Sequence, residues 1–173
     1  DSPRPEAEAG VLAEVEIAPD AERRDDERQE EGEVPARVRR ERLDGVVELL
    51  GYVRHTGLAQ HWEQCNSGVS FIPINEIYDC QPATKTFEYL LAGMPVIATG
   101  TSENRRNVNE STGVIIKDTA DSFHEGLEQI YKRRGQFSSA ALRASVAAYR
   151  WENIAGDNLY PYLIRLGDRH AMR

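Results

Sequence analysis

Short apolar runs alternate with stretches of helical periodicity along most of this chain. Four runs have the length of strands that are buried on both faces of a sheet, and they cover Val46–Leu50, Gly68–Pro73, Val96–Thr99 and Gly113–Ile116. Between these runs, apolar residues recur with the spacing of amphipathic helices. The alternation predicts an α/β fold with a parallel sheet and helices on both faces, in three layers α/β/α.

Residues 73–101 give the clearest pattern, which predicts a strand end, a loop, a helix, a tight turn and a strand. The loop covers Asn75–Gln81, and Pro82 suits the first helical position because its missing N–H costs nothing there. Gly93 is expected to end the helix in a left-handed conformation, and Pro95 prevents its continuation. The apolar stripe of this helix consists of Phe87, Leu90 and Leu91.

The same periodicity predicts further helices on either side of this unit. They cover Val34–Leu43, Leu58–Cys65, Ser102–Val108, Asp118–Arg134, a segment from Ser138, and Trp151–Leu166. Either Thr119 or Asp121 is suited to cap the fourth of them, because both side chains accept hydrogen bonds from first-turn N–H groups. Pro161 is expected to kink or interrupt the last helix. The apolar stripes consist of Leu58, Trp62, Cys65, Phe123, Leu127, Ile130, Tyr131, Leu142, Val146, Tyr149, Ile154, Leu159, Tyr162 and Leu163.

Composition and charge narrow the class of protein. With 173 residues, of which 40% are hydrophobic and 29% charged, the chain has the size and composition of one globular domain. A formal net charge of −8 argues against a nucleic-acid partner, whose phosphates require a basic face. No stretch has the apolar length of a membrane span, and no signal peptide opens the chain. Cys65 and Cys80 are therefore expected to be reduced thiols of a cytoplasmic protein.

Residues 1–33 differ in composition from the rest of the chain. The stretch Asp20–Glu33 is crowded with acidic residues and arginines, so it buries too little apolar surface to offset the entropy lost on ordering. We expect residues 1–33 to form an acidic, poorly ordered N-terminal segment and residues 34–173 to form the folded domain. Two interpretations of the segment stay open, a mobile tail or exposed loop and an acidic recognition tail.

Candidate binding chemistry is concentrated where the loop Asn75–Gln81 enters the central helix. The first N–H groups of a helix have no partner inside it, and with the helix dipole they suit a phosphate or another anion. Lys85 and Glu88 are three positions apart, so they share the helix face near this end. Ligands of open α/β sheets bind beyond the carboxyl ends of strands. This rule also singles out Tyr52, which either stacks near a base or is half-packed on its loop.

The string KTFEYLLAGMPVIAT, residues 85–99, resembles the nucleotide-sugar signature of retaining glycosyltransferases with two Rossmann-like domains. This GT-B type clan (group 1, family 4-like) includes glycogen and sucrose synthases. Its signature has two glutamates separated by seven residues, and the second matches Glu88, whereas the first falls on Cys80. The resemblance extends from about Val46 to Leu163, with a late Trp151. It implies a Rossmann-like domain that is the C-terminal, nucleotide-sugar-binding half of a GT-B fold.

The resemblance implies roles for three residues at the start of the central helix. Glu88 would accept hydrogen bonds from the ribose hydroxyls, although it is also readable as a helix-face carboxylate paired with Lys85. Lys85, with Thr84 beside it, either binds the diphosphate as a mobile point charge or is part of the solvated surface.

Further donor contacts are implied on both sides of this helix. Cys80 stands where the family has a sugar-binding glutamate, and it cannot accept hydroxyl hydrogen bonds comparably. Either Glu76 or Asp79 is a nearby carboxylate that substitutes for it, or the contact is lost. The family also binds sugar and phosphate through backbone N–H groups after the next strand, and the matching residues are Thr101, Ser102 and Glu103.

The leading hypothesis is the donor-binding half of a glycosyltransferase that moves a sugar from a nucleotide-sugar to a glycan or glycoconjugate in polysaccharide biosynthesis. The acceptor, a glycan or a lipid-linked one, would bind on an N-terminal domain absent from this sequence. This chain alone is therefore expected to be inactive, and the full-length enzyme to associate peripherally with a membrane. No catalytic residue is assigned, and no metal or cofactor is implied, because the clan stabilises the leaving diphosphate with cations and helix dipoles.

Two other functional classes are alternatives to this hypothesis. A non-catalytic nucleotide- or partner-binding module is favoured by Cys80 and by the absence of the Arg and Lys that the family presents to the diphosphate. A nicotinamide-dependent oxidoreductase is disfavoured because no G-x-G-x-x-G occurs in the chain.

Overall fold

The computed structural model describes residues 25–51 and 53–171, and the chain divides between Val69 and Ser70 into two compact units. Of the N-terminal segment predicted to be poorly ordered, residues 1–24 lie outside the described residues, and residues 25–33 belong to a helix. Their Glu, Gln and Arg side chains have favourable helix propensity, which accounts for this local structure. The predicted boundary at residue 33 and the loose packing of this segment stay predictions.

The described residues of the first unit form two helices. Helix α1 spans Asp25–Arg40, with Pro35 inside it, and helix α2 spans His55–Trp62. Leu58 and Cys65 are buried, and Trp62 is half-buried, as the predicted stripe requires.

The strand predicted over Val46–Leu50 is wrong. The N–H groups of Val46 and Val47 both donate to the carbonyl oxygen of Leu43, at 2.8 Å each, so a turn after α1 takes up the start of the apolar run. The remaining residues form neither helix nor strand, and the side chain of Val46 is 79% exposed. Short apolar runs do not by themselves distinguish strands from loops.

A three-stranded sheet with the order β1–β2–β3 follows α2 in the chain. Strand β1 spans Gly68–Ser70, β2 spans Val96–Thr99 and β3 spans Gly113–Ile116. Strands β2 and β3 are parallel, with Val96 opposite Gly113 and Thr99 opposite Ile116. The helices that flank the sheet and follow it are α3 (Thr84–Ala92), α4 (Ser102–Asn107), α5 (Ala120–Arg133), α6 (Ser139–Ser145), α7 (Trp151–Ile154) and α8 (Tyr160–Ala171). This arrangement confirms the predicted α/β, Rossmann-like fold.

The core forms between the sheet and helix α5. Every residue of β2 is fully buried, as expected for a strand covered on both faces. Ile97, Val114 and Ile116 from the strands pack with Ile130 from α5. Half-buried side chains complete this cluster, namely Phe123, Leu127 and Phe137. Thr119 caps α5 by accepting a hydrogen bond from the N–H of Ser122, which resolves the predicted alternative in its favour.

The first strand stops earlier than predicted because a side chain replaces its next backbone partner. Beyond Ser70, the N–H of Ile72 donates to Oγ1 of Thr99 at 2.9 Å, and the same hydroxyl donates to the carbonyl oxygen of Ile72 at 2.7 Å. The N–H of Ile74 donates to the carboxylate of Asp118 at 3.0 Å. These side-chain contacts hold the chain at Ile72 and Ile74 in place of a strand ladder.

The C-terminal helix is interrupted where predicted. Helices α7 and α8 are separated by a π-helical segment, Ala155–Leu159, and Pro161 occupies the second position of α8. A proline cannot donate to the preceding turn, so the wider π turn falls immediately before it. The apolar stripe predicted here does not reach a core, because several of its members are exposed: Leu159, Tyr162 and Leu163. Within the described residues, no helix has the length and apolarity needed to cross a bilayer.

Candidate functional site

The candidate site lies at the carboxyl ends of the strands, where α3 and α4 begin. Helix α3 starts at Thr84, with Ala83 as its extended cap residue, so Pro82 precedes the helix instead of opening it as predicted. Thr84 is exposed, and Lys85 and Glu88 are half-buried one turn apart on α3. The structure therefore brings these three predicted residues together on the first turns of one helix.

The turn after α3 fixes the direction in which the chain returns from this helix to the sheet. Gly93 adopts φ 84°, its N–H donates to Leu90, and the N–H of Met94 donates to Tyr89 at 2.9 Å. These two bonds form a Schellman motif, which satisfies the last carbonyls of the helix. Ser139 of α6 adds a hydrogen bond from its hydroxyl to the carbonyl oxygen of Gly93 at 3.0 Å.

Asp79 joins the loop before α3 to the first turn of α4. Its Oδ1 accepts from the N–H of Ser102 at 2.9 Å, and its Oδ2 accepts from the hydroxyl of Ser102 at 2.5 Å. The backbone oxygen of Asp79 accepts from the N–H of Glu103 at 3.3 Å. The two hydrogen bonds from Ser102 lower the pKa of the Asp79 carboxyl, and the nearby charge of Arg105 lowers it further.

These contacts change what the loop after β2 offers to a ligand. The backbone N–H groups of Ser102 and Glu103 are already bonded to Asp79. Thr101 is fully buried, and its hydroxyl oxygen caps α4 by accepting from the N–H of Asn104. The donor-binding role expected of Thr101, Ser102 and Glu103 stays a prediction, and it requires the Asp79 contacts to be shared or exchanged.

A buried hydrogen-bond network holds α3 and α4 at a fixed spacing. A hydroxyl has one proton, so the geometry assigns Thr86 as donor to Oδ1 of Asn104 at 2.8 Å and as acceptor from Ser70 at 3.0 Å. The side-chain amide of Asn104 donates to the carbonyl oxygen of Thr99 at 3.0 Å. Ser70, Thr86 and Asn104 are each 1% exposed, so their hydrogen bonds lie inside the protein, where an unpaired polar group costs most.

The cysteines differ in exposure. Cys80 is exposed in the loop before α3, and Cys65 is buried, with its thiol donating to the carbonyl oxygen of His61 at 3.0 Å.

Glu76 is also exposed in the same loop as Cys80, and Asp79 is bonded to Ser102, so neither carboxylate is shown to replace the family's sugar-binding glutamate. Tyr52, expected either to stack near a base or to be half-packed on its loop, lies outside the described residues. Among the residues that the structure does describe, no three His, Cys, Asp or Glu side chains cluster as metal ligands.

Sequence reasoning missed one residue at this edge, Arg105, and it named Asp79 without its contact to α4. The hydrogen bonds that Ser102 donates to Asp79 join residues 23 positions apart, and no local sequence pattern predicts such a pairing. Arg105 reaches back from α4 to the carbonyl oxygen of Gly100, at 3.0 Å from Nε. The only sequence signal for it was a pair of arginines in a short helix, which is ordinarily a solvated surface.

The chain shares its fold with a known synthase. In three dimensions it is similar to part of sucrose-phosphate synthase from Thermosynechococcus elongatus, with a TM-score of 0.62 and 24% sequence identity. The similarity covers 85% of this chain and 37% of that one, so this chain spans little more than a third of the enzyme that it resembles. No protein-family model matches the chain, and no curated protein matches it by sequence. At this identity the likeness establishes the fold, which is that of part of a GT-B enzyme.

Proposed function

We propose that this chain forms the donor-binding part of a glycosyltransferase that uses a nucleotide-sugar. The observation that carries the proposal is the position of Lys85 and Glu88, which share the first turns of α3 at the ligand-binding edge of a GT-B type fold. Both residues belong to the string that resembles the nucleotide-sugar signature of that class. The acceptor, a glycan or a lipid-linked glycan, is proposed to bind on a further domain.

The two side chains have complementary roles in this proposal. The carboxylate of Glu88 accepts hydrogen bonds from two neighbouring ribose hydroxyls, which orients the nucleoside. The ammonium group of Lys85 attracts the diphosphate, whose negative charge increases as the bond to the sugar breaks. In glycosyl transfer such stabilisation of the leaving group lowers the barrier only to the extent that it is stronger in the transition state.

A second candidate function is a nucleotide- or partner-binding module without turnover. The observation that favours it is the Asp79 carboxylate, which occupies the N–H and hydroxyl of Ser102 where the resembled enzymes contact phosphate or sugar. A module of this kind would bind a nucleotide through α3 and would not engage the sugar.

Calorimetry on Glu88→Gln tests the donor-binding proposal. The probes are uridine, guanosine and adenosine, their diphosphates, and the corresponding glucose conjugates. A charge-assisted hydrogen bond contributes about 1.5–3 kcal/mol. We therefore expect Glu88→Gln to weaken binding of the diphosphate that the wild type binds most tightly by about tenfold to a hundredfold. Glu125→Gln, on the exposed face of α5, is the matched control and should bind as the wild type does.

Three outcomes separate the candidate functions. Binding of a nucleotide-sugar more tightly than its diphosphate supports the donor site. Equal affinity for both, with the same loss in Glu88→Gln, supports the module without turnover. If Glu88→Gln binds every ligand as the wild type does, the assignment of α3 as the donor site is wrong.

A further inference from the structure

Gly100 lies over the carboxyl ends of two adjacent strands. It follows the last residue of β2, and its N–H donates to the carbonyl oxygen of Ile116, the last residue of β3, at 2.9 Å. A ligand of an open α/β sheet binds just beyond such strand ends. Any charged group held against Gly100 is therefore at the binding edge of the sheet.

The guanidinium of Arg105 is held against Gly100. Its Nε donates to the carbonyl oxygen of Gly100 at 3.0 Å, which anchors one side of the planar group. A Cβ atom at position 100 would stand only 2.8 Å from Cζ of Arg105. This separation is below any normal contact, so the arginine occupies its position because residue 100 has no side chain.

Arg105 forms no ion pair within the described part of the chain. Asp79 is near enough to sense this charge, but both of its carboxylate oxygens accept hydrogen bonds from Ser102. The neighbouring Arg106 differs, because its guanidinium pairs with Glu103. Arg105 is thus an exposed cation whose Nε is hydrogen-bonded to the backbone and whose guanidinium forms no ion pair with a carboxylate that the structure describes.

We propose that Arg105 binds the diphosphate of the nucleotide donor through its terminal amino groups. A guanidinium anchored through Nε presents two further nitrogens in a fixed plane, which suits the oxygens of a phosphate better than a mobile ammonium does. The charge would complement Lys85 on α3, so that two helices supply one cation each. This inference rests on the proposed function, because it assigns a residue to the same donor site.

The test measures binding of nucleosides and their diphosphates to Arg105→Ala, Arg105→Lys and Gly100→Ala by calorimetry. Arg105→Ala should weaken binding of the diphosphate about tenfold to a hundredfold and leave the affinity for the nucleoside unchanged, because the lost contact is to phosphate. Arg105→Lys should restore part of the affinity, since it keeps the charge and loses the planar fork. Gly100→Ala should resemble Arg105→Ala although the charge remains, because the new methyl group displaces the guanidinium.

Arg106→Ala is the matched control, since it removes an adjacent exposed arginine that is paired with Glu103. It should bind both ligands as the wild type does. If Arg105→Ala and Gly100→Ala bind the diphosphate normally while Glu88→Gln does not, Arg105 does not contact phosphate and the proposed function stands. If the wild type binds none of the probes, the proposed function fails and this inference fails with it.

Discussion

At the scale of single residues, Asp79 shows how one carboxylate decides the local architecture. It connects the loop before α3 to the first turn of α4 by accepting two hydrogen bonds from a residue 23 positions away in the sequence. The carboxylate is stabilised in its charged form by hydrogen bonds from Ser102 and by the charge of Arg105, so its pKa lies below the ordinary 3.8. Its contribution to stability is therefore pH-dependent.

We expect Asp79→Asn to destabilise the protein at neutral pH and to have little effect in strong acid. Because the folded-state pKa is lower than the unfolded value of 3.8, the stabilisation is fully present above 3.8 and is lost as the pH falls through the folded pKa. Urea unfolding of both proteins across this range measures the difference. Asp44→Asn, at an exposed loop position, serves as the control. A difference that does not shrink in acid would show that the charge of Asp79 is not responsible.

At the scale of secondary-structure elements, the turn between α3 and β2 requires a glycine at position 93. Gly93 has φ 84°, and a Cβ atom there would stand 2.9 Å from Cβ of Ser139. We expect Gly93→Ala to lower the free energy of unfolding by about 1–3 kcal/mol, because it adds both backbone strain and a clash with α6.

The control for this prediction is Gly135→Ala. Gly135 has open space around its Cβ position and no positive φ. Chemical denaturation of both variants measures the two losses separately. Equal losses in the two variants would mean that the turn after α3 tolerates a side chain, contrary to the prediction.

The elements predicted correctly are those with a local physical signal. The Gly93 turn and the interruption near Pro161 each depend on residues within one helical turn, so the sequence contains the information. The cap of α5 was predicted only as either Thr119 or Asp121, and the structure selects Thr119. Val46–Leu50 looked like a strand because it is apolar, but pairing depends on a distant partner that periodicity does not reveal. The early end of β1 has the same origin, since Thr99 lies 27 positions from Ile72.

In the candidate site, too, residues with a local sequence signal were predicted, whereas contacts between distant residues were not. Lys85 and Glu88 were identified because a helix places positions three apart on one face. Asp79 was named only as a possible substitute for the sugar-binding glutamate, and Arg105 was not named. Their contacts with Ser102 and Gly100 depend on how loops and α4 fold back on the sheet. The exposed stripe of α8 was also unpredictable from periodicity, which gives a helix face but not what covers it.

At the scale of the whole molecule, we expect protection from amide exchange to be highest in the sheet. The backbone of Val96–Thr99 is fully buried and pairs with β3, so its exchange requires extensive opening. Residues 48–51 are neither helix nor strand and should exchange much faster. Hydrogen–deuterium exchange followed by mass spectrometry measures both segments in one experiment. Comparable protection in the two would contradict the arrangement of a sheet-centred core.

The contrast between the two cysteines makes the loop beside Asp79 observable without engineering. Cys80 is exposed one position after Asp79, whereas Cys65 is only 2% exposed. A maleimide dye should therefore label the native protein at Cys80 alone, within the loop that is bonded to α4. The fluorescence of the attached dye would report any rearrangement of that loop during ligand titration, so the unmodified sequence already carries a single attachment site for an optical reporter.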